Sequence, residues 1–154
     1  MTNAPVQGPW SEADIDRFLG EQVIPIRLGC LTRSGWPLVV SHWYIYRNGF
    51  LWCATQSSAK VVKNLLGDSR CSFEVATNEP PYRGVRGQGR AHVDPAAGES
   101  ILRALIERYL GSHDSAFASW LLRRASNEVA IRIEPRRLRS WDFSRRMAGA
   151  VQGP

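Results

Sequence analysis

The stretch from Gly35 to Leu66, GWPLVVSHWYIYRNGFLWCATQSSAKVVKNLL, limits the folds open to this chain more than any other. Two apolar, aromatic-rich segments, Pro37 to Tyr46 and Phe50 to Thr55, flank Asn48-Gly49. Both central residues of a type I′ turn need φ > 0, so Asn-Gly between β-prone runs predicts a hairpin. The second strand leads into Thr55-Gln56-Ser57-Ser58-Ala59-Lys60, then into an apolar-periodic run over Val61, Val62, Leu65 and Leu66. This predicts a strand, a hydroxyl-rich loop and a helix start, with Ser57 or Ser58 as N-cap. Backbone N–H groups at a helix N-terminus receive anions, whereas a cation such as Lys60 in the first turn opposes the macrodipole. An anion held between the hydroxyls, the helix end and Lys60 would account for this. A solvated lysine beside an ordinary cap would do so equally well, and these residues alone leave both readings open.

The remaining elements follow in order. Ser11 caps a short helix to Gly20, with Asp14 in the capping-box position and Ile15, Phe18 and Leu19 as its buried stripe. Ile24 to Thr32 reads as a strand ending in the turn Arg33-Ser34-Gly35. After the helix from about Ser58 to Leu66, Arg70 to Ala76 alternates Cys71, Phe73 and Val75 on one face. Tyr82 to Val93 is a further strand whose Gly84, Gly87 and Gly89 imply a bulge, a bend or close backbone approach. They do not open a helix, which excludes a dinucleotide fingerprint. Gly98 to Leu110 is an amphipathic helix stopped by Gly111, and Ser115 to Arg124 is a second, shorter one. Glu128 to Glu134 alternates as a half-exposed strand that Pro135 breaks, and Leu138 to Phe143 continues the sheet. Consecutive short antiparallel strands with intervening helices predict a small α+β barrel with the helices outside.

A chain of 154 residues suits one domain with a real core. The expected organisation is a disordered N-terminus over 1–10, a domain over 11–143 and a tail over 144–154. No apolar run approaches the ~20 residues of a membrane span, and Met1 to Trp10 lacks a secretory-signal pattern, so a cytoplasmic protein is expected. Cys30, Cys53 and Cys71 have no metal-ligand spacing and read as reduced, partly buried thiols. His42, His92 and His113 form no metal motif. The net charge of +6 admits a polyanionic partner. The basic residues are scattered, however, and no recognition-helix or zinc-finger spacing appears, so nucleic acid is not the expected partner.

The ordered set Gly35-Trp36-Pro37, Trp43 to Tyr46, Asn48-Gly49, Thr55-x-x-Ser58-x-Lys60, Asn64-Leu65, Tyr82-Arg83-Gly84-Val85 with Gly89, and Trp141 resembles the pyridoxamine 5′-phosphate oxidase-like family of FMN-binding split barrels. It is also similar to the related flavin and deazaflavin oxidoreductases. The resemblance covers about residues 11–143 and implies an antiparallel split barrel of Greek-key character with peripheral helices. It further implies a homodimer with two cofactor sites at the subunit interface. By the same resemblance Thr55, Ser58 and Lys60, with Ser57 beside them, match contacts to the cofactor phosphate. Val39, Val40, Ser41 and His42 match the stretch along the isoalloxazine edge. Arg86 and Gln88 match the strand facing the cofactor from the neighbouring subunit, and Trp141 an aromatic approaching the ring from the partner chain. The chain departs from the authentic oxidase at Ala59, where that enzyme has Arg in an S-R-K triplet, and at Pro37-Leu38-Val39-Val40-Ser41-His42, which lacks flanking basic residues. Trp141-Asp142-Phe143-Ser144-Arg145-Arg146 also replaces the W…R-x-H-x-R signature that holds pyridoxal phosphate, so formation of that product is not expected.

No nucleophile–base pair stands out. Ser41 and His42 are adjacent on a strand and point to opposite faces, and no paired catalytic acids are seen. This fits a protein whose chemistry belongs to its cofactor. The first expectation is an FMN-dependent oxidoreductase acting through flavin N5 on an unidentified small molecule. An F420-dependent reductase on the same fold is the second, compatible with Ala59. A non-enzymatic carrier of flavin or haem is the third.

Overall fold

The longest pairing in the molecule, between β7 (Arg83–Asp94) and β8 (Glu128–Asp142), is the spine on which the other strands hang. Its antiparallel register runs from Arg83 opposite Asp142 to Asp94 opposite Ala130. The structure is a computed structural model and describes residues 2–149. The other elements are β1 (Val6–Gln7), α1 (Glu12–Glu21), β2 (Ile26–Leu31), β3 (Pro37–His42), β4 (Ile45–Arg47), β5 (Phe50–Gln56), α2 (Lys60–Gly67), β6 (Arg70–Ala76), α3 (Gly98–Leu110) and α4 (Ala116–Arg123). The strands form one sheet in the order β3-β2-β6-β7-β8-β5-β4, with β1 parallel to β8. The sheet curls into an antiparallel half-barrel, the architecture expected of a split barrel.

Sequence chemistry explains most boundaries. Ser11 and Asp14 make the reciprocal capping box on α1, and Gly111 ends α3 in the left-handed region at φ 77°. Asn48 and Gly49 have φ of 52° and 80°, as a type I′ turn between β4 and β5 requires. The exit of α1 carries no basic residue of its own, so Arg108 from α3 donates to the carbonyls of Gly20 at 2.8 Å and Gln22 at 2.7 Å. The main core packs Ile15 and Leu19 of α1 and Val61, Val62 and Leu65 of α2 against inward residues such as Leu28, Phe73, Val85 and Ile131.

Four expectations need correction. The segment Pro37 to Tyr46 is not one hairpin arm. β3 pairs with β2, and the chain then leaves that edge and returns as β4 beside β5, at the opposite edge. Fully buried Tyr44 makes the crossing: its hydroxyl donates to the Leu19 carbonyl at 2.9 Å, and its N–H donates to the Tyr109 hydroxyl at 3.2 Å. Second, β8 does not break at Pro135. It passes through a bulge, Gln88 facing Arg137 while Gly89 faces Pro135, so Arg136 is the extra residue, and a bulge is one of the places where a strand tolerates proline. A Cβ on Gly89 would lie 2.4 Å from the Glu134 carbonyl oxygen, which is why that strand position is glycine.

Third, the N-terminus over 1–10 is ordered in its described part. Val6 pairs with Leu138, and Trp10 donates from its backbone to Ser140 Oγ at 3.1 Å and from its indole to Asp142 Oδ2 at 3.3 Å. Apolar Val6 and Trp10 have a core edge to cover, which outweighs the local Pro/Gly content. Fourth, neither Ser57 nor Ser58 caps α2. Ala59 is the N-cap and makes no side-chain hydrogen bond. In the tail, residues 144–149 form turns in which Met147 N–H donates to the Phe143 carbonyl at 2.9 Å. The rest of the expected tail lies outside the described residues.

Two glycines on helices separate packing from propensity. A Cβ on Gly98, at the start of α3, would sit 2.0 Å from the Glu128 carbonyl oxygen, whereas nothing lies within 4 Å of one on Gly67. Gly98→Ala should therefore destabilise the protein by about 2 kcal/mol or more. Gly67→Ala should be neutral or stabilising by up to about 1 kcal/mol. Urea denaturation of the two variants measures the contrast.

Candidate functional site

Three regions gather the residues that carry chemistry. At the N-terminus of α2, Lys60 lies in a cavity of about 760 Å³ with Arg33, Lys63 and Arg70, under the β2–β3 turn. Asp68 is the carboxylate in this cavity. Arg70 holds it at 2.7 Å, and the hydrogen bonds from Arg70 keep its pKa at about 2. Arg33, Lys60 and Lys63 form no ion pair among the described residues. The cavity runs along the side of α2 from Lys60 through Lys63 and Asn64 to Gly67, and three cations, Arg33, Lys60 and Lys63, line it, while the start of α2 has no side-chain cap. This arrangement suits an anion. Ala59, in place of the arginine of the S-R-K triplet, packs its methyl group against the core.

The second region is a groove of about 680 Å³ on the outer face of the sheet. Val39 of β3 and Arg86 and Gln88 of β7 line it, with Arg27, Arg137 and Arg139. Arg86 also lies over the Trp141 ring, 5.5 Å from its centroid. The third region is a cleft of about 430 Å³ where the C-terminal ends of β3 and β5 approach under α3 and α4. Ser41, His42 and Thr55 line it, along with Trp43, Phe117 and Glu128.

Within one chain, then, the residues expected at the cofactor fall into separate places. Ser41, His42 and Thr55 share the cleft; Val39, Arg86 and Gln88 share the groove, with Trp141 at its margin; Lys60 lies with the cations. Val40 turns inward and packs against the core. Ser57 and Ser58 are exposed in the turn before α2, where Ser57 N–H donates to the Asn127 carbonyl at 2.8 Å.

The cleft contains groups that sequence reading missed. Glu128 was read as one of the outward residues of a half-exposed strand, yet it is 8% exposed. Its Oε1 accepts from Gln56 Nε2, and its buried Oε2 has no partner in the structure. Burial raises its pKa, opposed by the Gln56 hydrogen bond and by the nearby Arg124 charge. The buried Nε2 of His42 likewise has no partner among the described residues, and burial lowers the pKa of that imidazole. Gln56 and Glu128 are register neighbours across the ladder between β5 and β8. The aromatic walls are Trp43, stacked on Tyr109 at 5.0 Å, and Phe117, edge-on to Trp43 at 6.2 Å.

The sequence pattern of the pyridoxamine 5′-phosphate oxidase family matches residues 13–142, and the chain belongs to that family. No curated protein matches the sequence. Among solved structures, a conserved hypothetical protein, Rv2991, from Mycobacterium tuberculosis is 26% identical, with a TM-score of 0.76 over 100% of this chain and 96% of that one. An F420 reductase is 19% identical, with a TM-score of 0.65 over 78% of this chain and 92% of its own. HutZ, a heme storage protein from Vibrio cholerae, is 14% identical, with a TM-score of 0.63 over 82% and 92%. The family binds flavin-type cofactors. Among the described residues, no helix is long and apolar enough to cross a membrane, and no group of His, Cys, Asp and Glu could hold a metal ion.

A raised pKa at Glu128 means that the folded chain holds this proton more tightly than the unfolded chain does. The stability it contributes is complete below the ordinary value of 4.5 and is lost as pH climbs through the folded value. As pH rises above the ordinary value of 4.5, wild type should therefore lose stability relative to Glu128→Gln, which carries no ionisable group at that position. Paired thermal melts at rising pH measure the difference.

Proposed function

We propose that this chain is a flavin-dependent oxidoreductase that binds FMN with its phosphate at the N-terminus of α2. The observation that carries the reading is the cavity beside α2 that Lys60, Lys63 and Arg33 line, cations without carboxylate partners among the described residues, with Lys60 at the helix start that no side chain caps. These residues fit an anionic tail. Lys60 supplies charge, N–H groups at the start of α2 supply hydrogen bonds, and β3 supplies a flat edge for a ring. A bound flavin would supply hydride transfer at N5. The chain's own part is to bind the cofactor, orient it and exclude water.

We also infer that the site is completed by a second copy of the chain. Trp36 and Val39 are 74% and 67% exposed beside the groove that Arg86 and Gln88 line, and that surface suits burial against another subunit. A homodimer would bring the second copy's Arg86, Gln88 and Trp141 toward the first copy's Ser41 and Thr55.

One observation favours the deazaflavin F420 as a second reading. The cationic surface extends beyond Lys60 through Lys63 and Arg33, more charge than one phosphate needs, while Ala59 withdraws the arginine that a compact phosphate site would use.

Titration of the purified protein with FMN and with F420, followed by desalting and visible spectroscopy, tests both readings. Retained FMN at one flavin per subunit supports the first, and retained F420 with FMN washed away supports the second. Retention of neither overturns the proposal. Lys60→Ala should weaken the retained cofactor by about tenfold or more, the worth of one charge-assisted hydrogen bond.

A further inference from the structure

The sheet gathers on its outer face basic residues that lie far apart in the sequence. Residues directly opposite each other on antiparallel strands share a face, so the register sets two neighbouring rows. Arg27 faces Glu74, Glu74 faces Arg86 and Arg86 faces Arg139. Two residues along, Gly29 faces Ser72, Ser72 faces Gln88 and Gln88 faces Arg137. These rows line the groove of about 680 Å³, in which four arginines meet one carboxylate. All four arginines are exposed, and none forms an ion pair among the described residues. Arg139 donates to Gln7 Oε1 at 2.8 Å and Arg86 lies over Trp141, while the side chains of Arg27 and Arg137 have no partner among the described residues. Like charges directly opposite each other weaken a strand pair. Arg86 and Arg139 stand in that relation on the longest pairing of the molecule, with Arg137 about 7 Å further along. The floor between the rows is left open at Gly29. No positive φ requires glycine there, yet a Cβ would lie 2.4 Å from Ser72 Oγ.

We propose that this groove binds a compact anion made of two or more linked phosphates, held by Arg27, Arg86, Arg137 and Arg139. From Arg27 on β2 to Arg139 on β8 is three strand spacings, about 14 Å, more than a single phosphate spans. Guanidinium forks match phosphate oxygens in pairs, and the Ser72 hydroxyl and Gln88 amide offer further donors between the two ends. Glu74 offsets one of the four positive charges, and the anion offsets the rest. A single-stranded nucleic acid fits less well, because its bases need open rings to stack on. Phe73 in the groove wall is 3% exposed, and Arg86 already lies over Trp141 at the margin. The groove shares no lining residue with the cavity beside α2, so the two are separate anion sites. It borders the surface assigned above to a second copy, where a bound anion would also offset the like charge that two copies bring together. That linkage, like calling the anion a substrate, rests on the function proposed above, whereas binding to the one chain does not.

The test is isothermal titration calorimetry of the purified full chain with tripolyphosphate, at fixed ionic strength and without added flavin. Saturable binding is expected, about tenfold or more tighter than that of inorganic phosphate. Arg137→Gln should weaken it about tenfold or more, the worth of one charge-assisted hydrogen bond. Arg137→Lys should restore only part of the loss, because an ammonium lacks the fork. Arg27→Gln, on a strand that does not touch β8, should weaken binding likewise. Without ligand, Arg137→Gln should melt no lower than wild type, because it removes a like charge from the β7–β8 pair. Lys60→Ala should leave tripolyphosphate binding intact. Absence of saturable heat overturns the proposal, as does wild-type affinity in both folded Arg137→Gln and Arg27→Gln. Loss of binding in Lys60→Ala would place the anion beside α2 and overturn it too. So would a single-stranded oligothymidylate that binds more tightly than tripolyphosphate. None of these results bears on retention of FMN or F420, so the two readings fail separately.

Discussion

The β7–β8 ladder is the interaction on which the rest of the molecule depends. Every other part of the sheet reaches its place through one of these two strands: β6, then β2 and β3, hang from β7, while β5, then β4, hang from β8. The register is set twice over. Inward residues such as Val85, Ile131 and Ile133 would be exposed by a one-residue slip, and the bulge at Arg136 fits only where Gly89 lets the opposite carbonyl approach. Because β8 also begins at Glu128, the same register decides which residue enters the cleft.

Much of this was legible in the sequence, for reasons that are local. Capping at Ser11, the turn at Asn48-Gly49, the alternation of Cys71, Phe73 and Val75, and the stop at Gly111 each act within a few residues, and each appears in the structure as its chemistry dictates. What escaped was long-range. Nothing within Pro37 to Tyr46 reveals that Tyr44 will bond a carbonyl of α1 and carry the chain from one sheet edge to the other. Nothing local to Pro135 reveals that a glycine far back in the chain will stand opposite it.

The candidate site divides along the same line. The anion-binding end was readable because helix N-termini and first-turn lysines have a fixed electrostatic logic, although the cap itself fell on Ala59 rather than on a serine. The cleft was not readable. Glu128 alternates with Val129 and Ile131 as a surface residue would, and the packing of α3, through Gly98 against the Glu128 carbonyl, together with α4 closes the space around it. Burial of a polar residue at a strand start is a property of what lies over it, which in this chain includes a helix that starts thirty positions earlier, at Gly98.

The pairing of β1 with β8 also bears on how fast the fold can close. Val6 meets Leu138, and Trp10 bonds Ser140 and Asp142 at sequence separations of 130 and 132. Closing so long a loop costs entropy before the contacts reward it, which slows folding. Trp10 serves both ranges, because its ring also packs on Phe18 of the neighbouring helix, 4.9 Å between centroids.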